Sequence, residues 1–140
     1  MAASLAVPPG PARGARFPAP LLGDSAGRPM KLDVHDEGHV TVIALEGDFV
    51  IGEPESLFRQ AVTDLVHAGK VRILVDCGRL RTVDSTGLGS LVRTLSLTQR
   101  QGGRTKLLAV GPRLRKLLEL TALAAVFEIH VDRAEALASF

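Results

Sequence analysis

An acid, two hydroxyl residues and two glycines stand together in the segment Val83-Asp84-Ser85-Thr86-Gly87-Leu88-Gly89. A strand-like apolar run at residues 71–76 precedes this segment across a short polar loop, and apolar residues with helical spacing follow it. The segment is therefore predicted to lie where a strand and loop lead into a helix. Unpaired N–H groups and the positive end of the dipole at a helix start can hold an anion, including a phosphate attached to Ser85 itself.

Catalytic interpretations of this segment do not fit its spacing. The nucleophile elbow of α/β-hydrolases needs a glycine two residues before the serine, where this chain has Val83. The histidines that could serve as a base have no distinguishing spacing: His35, His39, His67 and His130. An aspartic-protease carboxylate is also disfavoured, because two hydroxyl residues separate Asp84 from Gly87 and no second copy supplies the partner acid. We assign no catalytic residue and no metal ligand.

Two interpretations of the segment remain open, one structural and one regulatory. In the structural one, Asp84, Ser85 or Thr86 caps a helix, and Gly87 and Gly89 only allow close packing. Because each early-helix glycine costs about 1 kcal/mol relative to alanine, another element or a partner is expected close to this backbone. In the regulatory one, phosphorylation of Ser85 adds a charge of about −1.5 to −2 and repels a partner without refolding the protein.

The elements that must position this segment alternate regularly along the chain. Helical patterns follow Pro54 and Pro112, run from Ser85 or Thr86 to about Gln101, and close the chain at residues 133–140. The predicted strands cover residues 31–35, 40–45, 71–76, 106–110 and 125–130. The order β-β-α-β-α-β-α-β-α predicts an α/β fold with a mixed, mostly parallel sheet of four to five strands and helices packed against it.

Length and composition are those of one domain with no membrane span. The chain has 140 residues, of which 46% are hydrophobic, and it lacks Trp and Tyr, so its core must be mainly aliphatic. No window of about 18 apolar residues is present. Cys77 is the only cysteine, which excludes an intrachain disulfide, is consistent with a reducing cytosol, and favours a packing role for this residue.

Residues 1–30 differ in composition from the rest of the chain. They are rich in Ala, Pro and Gly and contain six of the eight prolines, which predicts a disordered arm ahead of a domain at 31–140. The arm carries three arginines and one aspartate, whereas the remaining residues balance 14 basic against 14 acidic side chains. A nearly neutral domain gives no general case for nucleic-acid binding.

Residues 84–89, placed after the strand at 71–76, resemble the signature of STAS domains, specifically of bacterial anti-sigma factor antagonists. The resemblance covers most of residues 32–140, and the family has the same order of elements as the one predicted above. Later landmarks also match: Gln101-Gly102-Gly103 and Leu117-Leu118-Glu119-Leu120-Thr121-Ala122-Leu123.

The resemblance implies a protein that binds a serine-kinase anti-sigma factor and releases the sigma factor that the kinase holds. The kinase, which itself binds ATP, would phosphorylate Ser85 and so break the complex, and a serine phosphatase would restore it. The chain would then be a cytoplasmic substrate and binder with no cofactor, no direct contact to nucleic acid and no membrane insertion, rather than an enzyme. The residues expected to contact the partner here are Asp84, Thr86, Gly87, Leu88 and Gly89.

The segment after the second strand departs from the family pattern. The family often has Gly-Glu-Leu-Asp there, and its last acid helps to contact the kinase. Here the aligned run is Gly47-Asp48-Phe49-Val50, so Val50 replaces the acid and Asp48 keeps a charge two residues earlier. We expect Asp48, Phe49 and Val50 at the partner surface, with partial burial of Phe49 and Val50 under the first helix as the alternative.

The late landmark also departs from the family pattern, and the fold itself leaves a second function open. Ala122 stands where the family usually has glycine. A STAS module outside sigma-factor control, such as a signalling scaffold subunit or an accessory of a transporter, would have the same fold. It remains the alternative function.

Overall fold

The computed structural model describes residues 30–140, in which five strands and four helices confirm the predicted order of elements. The strands are β1 (Lys31–Glu37), β2 (Val40–Phe49), β3 (Arg72–Val83), β4 (Arg104–Leu108) and β5 (Glu128–His130). The helices are α1 (Glu53–His67), α2 (Ser85–Arg100), α3 (Pro112–Leu120) and α4 (Arg133–Ala138). The arm predicted at 1–30 lies outside the described residues except for Met30, whose side chain is buried.

The five strands form one mixed sheet in the order β1-β2-β3-β4-β5. The β1–β2 pair is antiparallel, and the other three pairs are parallel. This arrangement confirms the mixed, mostly parallel sheet expected from the sequence. Because β2, β3 and β4 run in the same direction, the turns that lead from them into α1, α2 and α3 leave from their carboxyl ends.

Apolar clusters cover both faces of the sheet. The larger cluster joins α1, α2 and α3 to one face and includes Phe49 and Phe58, whose ring centroids lie 4.9 Å apart. A smaller cluster lies on the other face and includes Ala136 of α4. Its buried members from the sheet are Val40, Val42, Leu74 and Leu108. Residues 73–75 are buried throughout, which confirms that this part of β3 is covered on both faces.

Cys77 lies within β3 and is 2% exposed. Burial, with a further contribution from the charge of Asp76, raises the pKa of its thiol to about 12. A thiol with this pKa stays protonated at neutral pH, so Cys77 acts as the small packing residue that the sequence suggested.

The second half of β3 corrects the sequence analysis, which placed a polar loop between residue 76 and Val83. The strand instead continues to Val83 and pairs with an equally extended β2. Its alternating arginines are held by acids of β2, with Arg81 Nη2 donating to Asp48 Oδ2 at 2.8 Å and Arg79 lying 3.7 Å from Glu46. These cross-strand ion pairs let a polar sequence form a strand.

Candidate functional site

The helix α2 begins directly after the extended end of β3, and Asp84 caps it. The Asp84 backbone is extended, and its Oδ1 accepts a hydrogen bond of 2.9 Å from the backbone N–H of Gly87, three residues on. The backbone N–H of Asp84 donates to the carbonyl oxygen of Phe49 at 3.3 Å. The capping interpretation therefore holds for Asp84.

The same carboxylate also joins α2 to the turn between β2 and α1. Its second oxygen, Oδ2, accepts a hydrogen bond of 2.9 Å from the backbone N–H of Ile51. One side chain thus fixes two loops that are 33 residues apart in the chain. We call the surface formed by residues 50–52, 84–86 and 89 the Asp84 surface.

Ser85 is exposed at the first position of α2, and Thr86 beside it is half-buried. The first N–H groups of a helix have no partner within the helix. Asp84 occupies the N–H of Gly87, which leaves those of Ser85 and Thr86 outside the ladder of intrahelical bonds. Ser85 therefore combines an accessible hydroxyl with a helix start that favours negative charge.

The two glycines of the motif have different structural roles. A Cβ atom on Gly87 would lie 2.4 Å from the carbonyl oxygen of Phe49 and 3.1 Å from a methyl carbon of Val83. Gly87 is thus required by the end of β2, an element of the same chain. A Cβ atom on Gly89 would have no neighbour within 4 Å, and Gly89 is exposed. Only Gly89 leaves room for a partner.

Several residues predicted for the partner surface lie inside the protein. Leu88 is 5% exposed and Phe49 is fully buried, because strand alternation points Phe49 to the face covered by helices. Asp48 is 8% exposed and paired with Arg81. Val50 is half-buried. The expectation of an exposed Phe49 is corrected, and the burial alternative holds for it.

The exposed apolar residue of the Asp84 surface is Ile51, which the sequence analysis missed. Its exposure is 70%, although its backbone is fixed by Asp84. The available signal in the sequence was a β-branched apolar residue directly before Gly52, between the second predicted strand and the helix that follows Pro54. An exposed isoleucine whose backbone is bound to Asp84 therefore adds apolar area to this surface, next to half-buried Val50.

Helices α1 and α2 are joined close to this surface. Ser90 Oγ donates a hydrogen bond of 2.5 Å to Glu55 Oε2, and Arg59 Nε donates to the same oxygen at 3.1 Å. The hydrogen bond from Ser90 and the guanidinium of Arg59 hold the pKa of Glu55 below its usual value, against the opposing effect of burial. These contacts support a fixed geometry of the Asp84 surface.

Residues 30–140 were also searched for clustered metal ligands and for membrane-spanning helices. No cluster of three His, Cys, Asp or Glu side chains in this range could hold a metal ion. None of its helices is both long enough and apolar enough to cross a bilayer.

A family model of the STAS domain matches residues 31–136. An anti-sigma factor antagonist from Mycobacterium paratuberculosis is similar in structure, with a TM-score of 0.69 and 23% identity over 79% of this chain and 93% of the other. The phosphorylated form of SpoIIAA, a Bacillus cell fate determinant, has a TM-score of 0.65 and 22% identity over 77% of this chain and 97% of its own.

A structure from a different class of protein shares this fold. A sulfate transporter family protein from Wolinella succinogenes has a TM-score of 0.63 and 18% identity, with 72% of this chain and 84% of the other covered. At these identities the structural matches show a common fold. They do not transfer a binding partner from one protein to another.

Proposed function

Since the chain belongs to the STAS domain family, we propose that it is an anti-sigma factor antagonist switched off by phosphorylation of Ser85. In its unmodified form it binds a serine-kinase anti-sigma factor and releases the sigma factor held there. The kinase supplies the bound ATP, and a serine phosphatase reverses the modification. The chain is then a substrate and a binder, not an enzyme, and acts in the cytoplasm.

The observation that carries the proposal is the position of Ser85. Its side chain is exposed at the start of α2, whereas the neighbouring Gly87 and Leu88 are buried. Asp84 fixes the backbone on one side through Gly87 and on the other through Ile51. A kinase would thus meet an exposed hydroxyl on a backbone held by hydrogen bonds, on the same surface as exposed Ile51 and Gly89.

The electrostatics of this surface support dissociation without refolding. Phosphate on Ser85 brings about −1.5 to −2 of charge beside Asp84. The start of α2 offsets about 0.3–1 kcal/mol of the repulsion. The Asp84 carboxylate also accepts hydrogen bonds from two backbone N–H groups, which stabilise its negative charge. A partner docked over the site must desolvate the new charge, and a penalty of ~3 kcal/mol weakens binding more than a hundredfold.

Phosphate transfer from ATP by the cognate anti-sigma kinase tests the assignment. We expect labelling of the wild-type protein and of Thr86→Ala, and none of Ser85→Ala. Since Ser85 is exposed, its replacement should not alter the fold, which circular dichroism can check. Ser85→Asp should weaken kinase binding, measured by calorimetry. Undiminished labelling of Ser85→Ala, or unchanged affinity of Ser85→Asp, would contradict the proposal.

A second candidate function is a STAS module that serves a transporter or a signalling scaffold. The fold shared with the Wolinella succinogenes protein supports this candidate, as does Val50, which stands where the family often has an acid that helps to contact the kinase. This function needs no phosphorylation of Ser85. Affinity purification that recovers a membrane transporter equally well with wild type and with Ser85→Asp would support it over the antagonist function.

A further inference from the structure

The strand β1 forms one edge of the sheet and is long for an edge strand. It has seven residues, and among residues 30–140 its only strand partner is β2. Lys31, Asp33, Val34 and Asp36 are exposed along it. Such an edge presents unpaired backbone groups that can pair with another strand.

The sequence of β1 is complementary to itself when it is paired antiparallel about Val34. In that register Lys31 lies opposite Glu37 of a second copy, and Asp33 lies opposite His35. Twofold symmetry repeats both pairs, and the two Val34 side chains meet at the axis. Directly opposed side chains of opposite charge stabilise a strand pair, whereas like charges destabilise it.

The neighbouring symmetric registers lack this complementarity. Pairing about Asp33 opposes the two Asp33 carboxylates and sets Lys31 against His35. Pairing about His35 opposes the two imidazoles and sets Asp33 against Glu37. Both alternatives thus bring like charges together, so charge selects pairing about Val34.

Three of the side chains that would form these pairs, those of Asp33, His35 and Glu37, already contact one another on the face that carries α4. His35 Nδ1 lies 2.9 Å from Asp33 Oδ2, and His35 Nε2 lies 2.8 Å from Glu37 Oε2. Arg133 of α4 also donates to Glu37. Asp33 keeps 64% side-chain exposure and His35 keeps 38%, so both remain accessible to a neighbouring strand.

We propose that β1 is a self-association edge, at which two copies of this chain pair antiparallel about Val34 to form one continuous sheet. The contact is small compared with stable interfaces of about 1,200–2,000 Å², so the dimer is weak and depends on concentration. Ser85 and Asp84 lie at the carboxyl end of β3, two strands away from this edge. The proposal therefore stands independently of the partner switch.

Disulfide trapping in the full chain tests the register. Val34→Cys should form a dimer under mild oxidation, because directly opposed residues have the spacing that a disulfide requires. Leu32→Cys and Asp36→Cys are the matched controls. Each alone places its two thiols about 13 Å apart, four residues along the strands, whereas a mixture of the two variants should cross-link. Buried Cys77 contributes no background. Equal trapping of all three single variants would overturn the register.

Charge reversal tests the proposal without a new thiol. In a dimer of Lys31→Glu, the substituted glutamate of each copy lies opposite Glu37 of the other copy. This repulsion should raise the dimer dissociation constant about tenfold or more. Arg79→Glu, an equal charge change at a side chain 80% exposed on β3, is the control and should leave the constant unchanged. Sedimentation equilibrium over a concentration series measures both. A wild-type chain that stays monomeric throughout, or equal constants for the two variants, would overturn the proposal.

Discussion

Two junctions between a parallel strand and the following helix use different chemistry. At the β3–α2 junction, Asp84 caps the helix with its side chain and binds Ile51 of a second loop. At the β4–α3 junction, Gly111 stands at the cap position and no side chain caps the helix, which begins with Pro112. Ala109, the residue directly after β4, has a left-handed φ of 60°.

The difference indicates which junction is built to present a surface. The β4–α3 junction needs only backbone geometry and a proline to start its helix. The β3–α2 junction adds a carboxylate with two backbone donors and a glycine in contact with Phe49. These additions fix the positions of Ser85 and Ile51 relative to each other. Four predictions test this difference between the two junctions.

The largest effect on stability is expected from alanine at Gly87. Its methyl group would lie 2.4 Å from the Phe49 carbonyl oxygen, so the end of β2 or the start of α2 must shift. Such overpacking costs about 1–3 kcal/mol. Gly89→Ala has open space and should stabilise α2 by about 0.5–1 kcal/mol. Urea denaturation measures both, and equal signs for the two variants would contradict the division of roles.

Gly89→Ala also tests whether a partner contacts the β3–α2 junction. Because Gly89 is exposed beside Ser85, a partner that covers the Asp84 surface closely should bind Gly89→Ala more weakly although its fold is more stable. Calorimetry with the partner kinase measures the affinity of the variant and of the wild-type protein. Unchanged affinity would place Gly89 outside the contact.

An intermediate effect is expected from removal of the cap. Asp84→Ala loses a capping bond, which costs about 0.5–2 kcal/mol, and also frees the N–H of Ile51. Asp132→Ala is the matched control, since Asp132 caps α4 through Glu135. Only the Asp84 variant should accelerate hydrogen exchange at the Ile51 amide. Equally fast exchange at Ile51 in both variants would show that Asp84 does not hold this turn.

The sequence was sufficient for the order of elements and for a helix cap among residues 84–86, because caps and periodicity are short-range features. It was not sufficient for contacts between distant segments. The bond from Ile51 to Asp84 and the approach of Gly87 to Phe49 depend on how β2 and β3 align. The strand between residues 77 and 83 looked like a loop for the same reason, since its arginines are balanced by acids on β2.

The smallest effect on stability is expected at the β4–α3 junction, where replacing Ala109 with glycine should stabilise the protein. Ala109 has a φ of 60°, a conformation that costs a residue with a side chain about 1–2 kcal/mol and glycine much less. The greater freedom of glycine in the unfolded chain, about 0.4–1 kcal/mol, and the lost contact of the Ala109 methyl group offset part of this gain. Ala109→Gly should therefore raise the free energy of unfolding by at most about 1 kcal/mol.

Ala68→Gly is the control for this prediction. Ala68 has a φ of −86°, so glycine there relieves no strain and should lower the free energy of unfolding. Thermal unfolding of the two variants in parallel measures the contrast. A loss of stability in Ala109→Gly as large as that in Ala68→Gly would mean that the β4–α3 junction stores no strain, and that it differs from the β3–α2 junction only in lacking a capping side chain.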